Sequence, residues 1–235
     1  MNLFLVRTEG LGLEEWLSLE EGLLRGENQN FCLWNQGTPL SLVLGRSLSV
    51  RDWINLEKLK HHPIPVFRRL SSGGAVVVDE NTIFVSFIFS KREFSSCPST
   101  VFQWTEDLYK KSWSIASFAL QERDYTIQDQ KCGGNAAYFI KDRFLQHTSF
   151  LWDYSKENMS YLLPPPKSPM YRKNRLHSDF LCRMEPFLKD KNGCFQSFEK
   201  ELSRRFDVQN ISLESAKESF SKKAYRKALF RESGF

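Results

Sequence analysis

Apolar residues recur along this chain with two periods. Over 14–25, Trp16, Leu19, Leu23 and Leu24 fall at helical spacing among Glu and Arg, which predicts an amphipathic helix. Short apolar runs at 31–34 and 41–45, bounded by Asn, Gly and Pro, predict strands. A short helix is expected over 55–60. Strands at 66–69 and 75–79 are expected to pair around a Ser-Ser-Gly-Gly turn, and 82–89 is a further strand rich in β-branched and aromatic residues. Residues 99–120 predict a long helix with Phe102, Leu108, Trp113, Ala116 and Leu120 roughly on one side. Segments 125–128 and 131–135 suggest a strand leading into a second glycine turn, and sheet continues over 143–153. Four prolines within 162–169 exclude regular helix or central strand there. Two helices are expected near 193–206 and 213–230. Sheet flanked by helices, without a βαβ alternation, makes the class α+β, with mixed or antiparallel sheets. The expected organisation is one domain over 1–235, with 186–235 a helical extension packed on it and no separate accessory domain.

Composition narrows the partners. Twenty Phe, six Trp and seven Tyr in 235 residues can fill a sizeable core. A net charge of +5 suits an anionic substrate or an acidic partner and is too weak to argue for nucleic acid. Lys and Arg cluster in 167–175 and 217–231, but over 217–227 they alternate with Glu218 and apolar residues, as in a packing helix. The first seven residues are too short and wrongly charged for a secretory signal. No apolar run approaches the roughly 20 residues of a membrane span. Five dispersed cysteines without a CxxC pair point to reduced thiols in the cytoplasm, with neither a disulfide framework nor a metal site expected.

Four segments could carry chemistry. Arg68-Arg69-Leu70-Ser71-Ser72-Gly73-Gly74-Ala75 joins two permanent cations to a small-residue turn whose backbone N–H groups can approach an anion. It is equally readable as an ordinary glycine hairpin with solvated arginines. Lys131-Cys132-Gly133-Gly134-Asn135-Ala136 sets a lysine against a Gly-Gly backbone, a clamp for carboxylate or phosphate or else a surface hairpin tip. His147 sits in a strand-like apolar stretch, where a satisfied core histidine is the commoner outcome. The run 171–181 is basic and aromatic and reads first as a solvated face.

Taken together and in order, these pieces resemble the lipoate-protein ligase family of the biotin and lipoate ligase superfamily. Arg68–Asp79 is similar to its Arg-Arg-x-Ser-Gly-Gly-Gly-Ala-Val-x-His-Asp motif, and Leu42-Val43-Leu44-Gly45-Arg46 to the strand upstream of it. Trp16-Leu17-Ser18-Leu19-Glu20-Glu21 resembles its Asn-Leu-x-x-Glu-Glu helix. Lys131–Ala137 looks like its Lys-x-Ser-Gly-Asn-Ala-Gln motif, and Leu145–Leu151 like its Leu-x-His-Gly-Thr-Leu-Leu strand. The run from His147 to Tyr154, with Asn158-Met159 and Tyr171–Leu181, is similar to a subgroup seen in chlamydiae and plants. The likeness covers roughly 14–185.

The resemblance implies a biotin/lipoate-ligase-like catalytic fold and an ATP- and Mg²⁺-dependent ligase. Lipoate or octanoate is activated as an acyl-adenylate and passed to a lysine of an acceptor lipoyl domain, on a 2-oxoacid dehydrogenase E2 subunit or the glycine cleavage H protein. It implies Lys131 as an electrostatic clamp on acyl carbonyl and phosphate. Arg68 and Arg69 flank the pocket, Ser72, Gly73, Gly74 and Ala75 floor it, and Gly133, Gly134, Asn135 and Ala136 lie beside Lys131. His147 lines it, and Arg46 is a further candidate. A separate accessory protein can assist adenylation in such systems. The chain departs from the motifs at Ser72, Val78, Phe84, Ala137 and Thr148, and at Val78, Phe84 and Ala137 a polar side chain is lost. Two alternatives stay open: an octanoyl or lipoyl transferase working through a cysteine thioester, and a non-catalytic binder of acyl-nucleotide or lipoyl domain. The first needs a low-pKa thiol near Lys131. Residues 112–125 hold Ser114 and Ser117 but no cysteine, and Cys132 should face away from its neighbour.

Overall fold

In the computed structural model, which describes residues 1–220 except 27, 95, 96, 167 and 174, the sheet extends further than the apolar runs foretell. β1 (Asn2–Glu9) opens the chain, followed by α1 (Leu13–Gly26), β2 (Phe31–Gln36) and β3 (Ser41–Leu44). The short helices α2 (Val50–Trp53) and α3 (Leu56–His61) lead to β4 (Val66–Arg68), β5 (Val76–Val78) and β6 (Thr82–Ser90). Then come α4 (Pro98–Trp113), β7 (Phe118–Gln121), β8 (Asp124–Ile127), β9 (Gln130–Phe139) and β10 (Arg143–Leu151). After α5 (Lys156–Met159) and α6 (His177–Phe180), the described chain closes with α7 (Lys191–Arg205), β11 (Asp207–Ile211) and α8 (Leu213–Phe220).

Eight strands form one sheet in the order β11-β1-β2-β6-β10-β9-β8-β7, and β4-β3-β5 form a second, smaller one. β1 runs parallel to both neighbours, and the other pairs of the large sheet are antiparallel. This is the expected α+β class with mixed sheets.

β6 is central and covered on both faces, so eight of its nine residues are buried and six are apolar. Its odd-numbered Ile83, Val85, Phe87 and Phe89 join a core with Val101 and Leu108 of α4 and Phe198 and Leu202 of α7. Phe84 and Ile88 face the other way, toward Trp16 and Leu23 of α1 and Val43, Phe67 and Val78 of the small sheet. Ser86 is the polar break in that second face.

Several expectations change. β4 and β5 do not pair with each other: both flank β3, β4 parallel and β5 antiparallel. The 69–75 loop therefore crosses the end of β3. A Cβ on Gly45 would stand 2.2 Å from the Gly73 carbonyl oxygen, and Gly73 itself has φ +122°. The second glycine pair is not a turn. The chain reverses at Gln128-Asp129, both with positive φ between paired Ile127 and Gln130, and the two glycines lie inside β9. The long helix stops at Trp113, because Ser114 takes a left-handed cap with its N–H on the Lys110 carbonyl. Ala116 and Leu120 thus leave the helix, and Leu120 lies in β7.

The extension beyond 186 is not purely helical. β11, between α7 and α8, pairs in parallel with β1 at the sheet edge. Only 213–220 of the helix expected over 213–230 falls among the described residues. Phe198 of α7 is fully buried, its ring 5.0 Å from Trp34 and 6.3 Å from Phe87. Phe198→Ala should cost about 3–5 kcal/mol, as large aromatic truncations in cores do. Urea unfolding followed by circular dichroism measures this, and a loss below about 1 kcal/mol would put α7 outside the core.

Candidate active site

A cavity of about 750 Å³ opens between α1, the 69–76 loop, the facing ends of β9 and β10, and the segment from 159 to 181. Leu13, Trp16, Leu17, Val43 and Phe84 line one end, and Lys131, Asp124, Glu122, Arg123 and Arg172 the other. Such a shape suits a ligand with an apolar tail and an anionic head.

The charged end depends on an irregularity in β9. Gly133 pairs with Tyr125 and Lys131 with Thr126, so Cys132 is the extra residue of a bulge. Thr126 and Asp124 share a face of β8, so the bulge lets Lys131 and Gly134, three residues apart, both stand on that face, and Lys131 Nζ sits 2.9 Å from Asp124 Oδ1. The Tyr171 hydroxyl donates to Asp124 Oδ2 at 2.7 Å. Burial, then the charge of Asp124, pushes the Tyr171 phenol well up, so it stays a donor. Three more bonds stitch this segment over the site: Met170 N–H to Glu122 at 2.7 Å, Arg175 Nη2 to the Asp129 carbonyl at 3.0 Å, and Cys182 N–H to the Lys131 carbonyl at 2.8 Å. The 171–181 run is thus in part a wall of the cavity, not simply a solvated face. Arg172 is buried on that wall, its guanidinium 4.9 Å from the Phe180 ring centre.

Nine of the thirteen expected residues line the cavity: Arg69, Gly73, Gly74, Ala75, Lys131, Gly134, Asn135, Ala136 and His147. The other four lie off its wall. Arg68 donates through Nη1 to the carbonyls of Gly45 and Leu48, at 3.1 and 2.7 Å, and staples the loop after β3. Arg46 is exposed beside the Tyr138 ring, 5.8 Å from its centre, and gives its backbone N–H to the Ser71 carbonyl. Ser72 is exposed and offers its carbonyl to Arg69 Nη2 at 3.3 Å. Gly133 lies under the Phe150 ring, 2.6 Å from where a Cβ would stand. Asn135 reaches the cavity, but its side chain turns under the sheet: Oδ1 accepts from Thr148 Oγ1 at 2.6 Å and Gln146 Nε2 at 2.9 Å.

Arg69 is nearly buried, and its guanidinium is committed to the loop. Nε donates to Ser71 Oγ at 3.0 Å, and Nη2 to the Gly74 carbonyl at 2.9 Å. Burial pushes it down to about 10, while the Glu20 carboxylate pulls the other way. His147 stands between Ser71 and Glu20, with Nε2 2.8 Å from Ser71 Oγ and Nδ1 3.2 Å from both Glu20 oxygens. Glu20 and Ser71 were not among the expected residues. The signal for Glu20 was present: it follows Trp16 by four and precedes Leu24 by four, a charge on the apolar stripe.

Two departures from the family motifs alter the apolar end differently. Phe84 lines the cavity, its ring 5.7 Å from Trp16, whereas Val78 is packed in the core behind it. Cys132 is fully buried, and burial pushes its thiol well up; its Sγ donates to the Tyr125 carbonyl at 3.4 Å. It is not a thiolate nucleophile in this arrangement. Among the described residues, no cluster of three or more His, Cys, Asp or Glu is arranged to hold a metal ion, and no helix is long and apolar enough to cross a membrane.

Residues 8–207 match the family described as the lipoyl protein ligase A/B catalytic domain. The chain is 29% identical over 200 residues to an inactive lipoate–protein ligase 2 of Plasmodium falciparum, covering 68% of this chain and 51% of that protein. It is 29% identical over 163 residues to a probable lipoate-protein ligase A of Mycoplasma pneumoniae, covering 68% and 47%. The chain spans about half the length of these curated relatives. Its fold is similar to a solved structure described as a bi-partite lipoate protein ligase and its E2 lipoyl domain from Thermoplasma acidophilum, with a TM-score of 0.78, 19% identity, and coverage of 95% of this chain and 93% of that one.

The thiols give a direct check on the cavity chemistry. Cys97 is exposed, and hydrogen bonding from Ser99, then the backbone at Thr100, brings its thiol down to about 7. Iodoacetamide labelling of the native protein should rise through about pH 7 at Cys97 and spare Cys132 up to pH 8. Peptide mass spectrometry reads both sites, and labelling of Cys132 under native conditions would restore a thioester route.

Proposed function

The chain belongs to the lipoyl protein ligase A/B catalytic-domain family, and from that footing we propose that it is a lipoate-protein ligase. Lipoate or octanoate would enter with its chain along Leu17, Val43 and Phe84 and its carboxylate toward Lys131. One carboxylate oxygen attacks the α-phosphorus of ATP, the bond to the β-phosphate oxygen breaks, and pyrophosphate leaves. The acceptor lysine amine then attacks the acyl carbon, AMP departs with the carboxylate oxygen, and the amine proton goes to solvent.

The observation that carries this reading is one cavity walled by Lys131 on one side and the Gly73–Gly74–Ala75 backbone on another, with an apolar end attached. Negative charge grows on the α-phosphate in the transition state, and a preorganised ammonium there acts without reorganising at the moment of reaction. An arriving phosphate would compete with Asp124 for Lys131, so substrate takes over a cation already held in place. Mg²⁺ bound with the nucleotide would neutralise triphosphate charge, and the carboxylates of Glu122 and Asp124 are oxygen donors of the kind it takes.

Proposed acceptors are the lipoyl domains of 2-oxoacid dehydrogenase E2 subunits or the glycine cleavage H protein, in the cytoplasm. A separate accessory protein is the proposed aid to adenylation. The buried Cys132 weighs against the thioester transferase.

Purified protein with ATP, Mg²⁺, lipoate and labelled pyrophosphate should support ATP–pyrophosphate exchange. Lys131→Ala should lower it about 10²–10³-fold, as loss of one transition-state donor does. Undiminished exchange, or undiminished lipoylation of an acceptor domain in a mass-shift assay, would remove Lys131 from the mechanism. Absence of exchange in the wild type, with acyl transfer from an acyl-carrier protein intact, would overturn the ligase.

A further inference from the structure

Four elements meet at one buried polar chain on the α1 face of the sheet. Ser86 of β6 and His147 of β10 are register partners, so their side chains stand together on that face. Glu20 descends on them from α1, and Ser71 with Arg69 arrives from the loop after β4. Glu20, Ser71 and Ser86 are at most 2% exposed.

The donors at the two ends dictate the protons between. Arg69 Nε can only donate, so Ser71 Oγ accepts from it, and among the described residues the acceptor within reach of the Ser71 proton is His147 Nε2. That makes Nε2 an acceptor and leaves the ring proton on Nδ1, facing the Glu20 carboxylate at 3.2 Å. Ser86 Oγ donates to Glu20 Oε1 at 2.5 Å. Every member is satisfied in one tautomer. The arrangement looks like a Ser-His-Glu triad, but Ser71 is wholly buried, off the cavity wall, with its oxygen held by Arg69. It has no access to a substrate carbonyl.

What the chain does control is the glycine loop. The far side of the Arg69 guanidinium holds the Ser72 and Gly74 carbonyls, at 3.3 and 2.9 Å, and Gly73 packs so close that a Cβ would lie 2.7 Å from Nη2. We propose that Glu20 is a positioning residue: through His147 and Ser71 it fixes the Arg69 guanidinium and thereby the 72–75 backbone, whose Gly73, Gly74 and Ala75 wall the cavity. Arg69 then acts on the loop and not on the substrate. Only the kinetic consequence rests on the ligase reading.

The test uses Glu20→Gln, which keeps shape and removes charge, and Ser71→Ala, which cuts the chain without touching the buried carboxylate. ¹⁵N spectra of the His147 ring should show the Nδ1–H tautomer in the wild type and a mixture in both variants. Amide hydrogen exchange at 72–75 should rise about tenfold in both, with α7 unchanged. In pyrophosphate exchange, kcat should fall about tenfold with KM for lipoate altered less than about threefold. Wild-type loop exchange and an unchanged tautomer in either folded variant overturn the proposal. If Glu20→Gln does not fold, Ser71→Ala decides. If the wild type shows no pyrophosphate exchange but transfers acyl groups from an acyl-carrier protein, the ligase reading fails, while the ring and amide measurements still judge Glu20.

Discussion

A carboxylate taken out of water must find partners or lose its charge, and Glu20 is taken out of water in the middle of this protein. It hangs from a helix whose other buried residues are leucines, a tryptophan, a glycine and Glu21, which Arg25 pairs. Its partners come from three other places: Ser86 and His147 from two central strands, and Arg69, by way of Ser71, from the loop after β4. Buried ion networks contribute little net stability when complete. Removing one member strands its counter-charge, at about 3–5 kcal/mol. Such a network selects one arrangement of its elements over other compact ones, which is what a site built from four separate elements requires.

The rest of the site hangs on that junction. Because β4 and β5 flank β3, the loop between them crosses the β3 end, and two glycines let the backbones of 45 and 73 pass in contact. Across the cavity, the bulge at Cys132 does the matching work by bringing Lys131 and Gly134 together on the face of Asp124, with the Cys132 thiol buried. One wall is therefore held by hydrogen bonds to a guanidinium, the other by a strand irregularity. The apolar end is filled in by α1 and by Phe84.

Much of this was legible in the residues. α1 announces itself by period and β6 by its β-branched and aromatic run, and the order of the motifs brought nine of the thirteen expected residues to one cavity. What was not legible has physical causes. β11 is a polar edge strand, so its hydrogen bonds to β1 and not an apolar pattern create it. Gly133 and Gly134 looked like a turn because glycine marks turns, yet the reversal uses Gln128 and Asp129 in left-handed conformations. Arg68 and Arg69 are neighbours with opposite fates: alternation along a strand sends one to the loop carbonyls after β3 and the other inward. Composition alone could not separate them. The basic run after the prolines reads as solvated until Tyr171 is seen on Asp124 and Arg172 against Phe180.

The most direct test is a crystal structure with a non-hydrolysable lipoyl-adenylate analogue bound. The expected density has the acyl chain between α1 and Phe84, the phosphate mimic within hydrogen-bond distance of Lys131 Nζ and the 73–75 backbone, and Asp124 released from Lys131. An analogue bound elsewhere, or one whose phosphate mimic leaves the Lys131–Asp124 pair intact, would contradict the account.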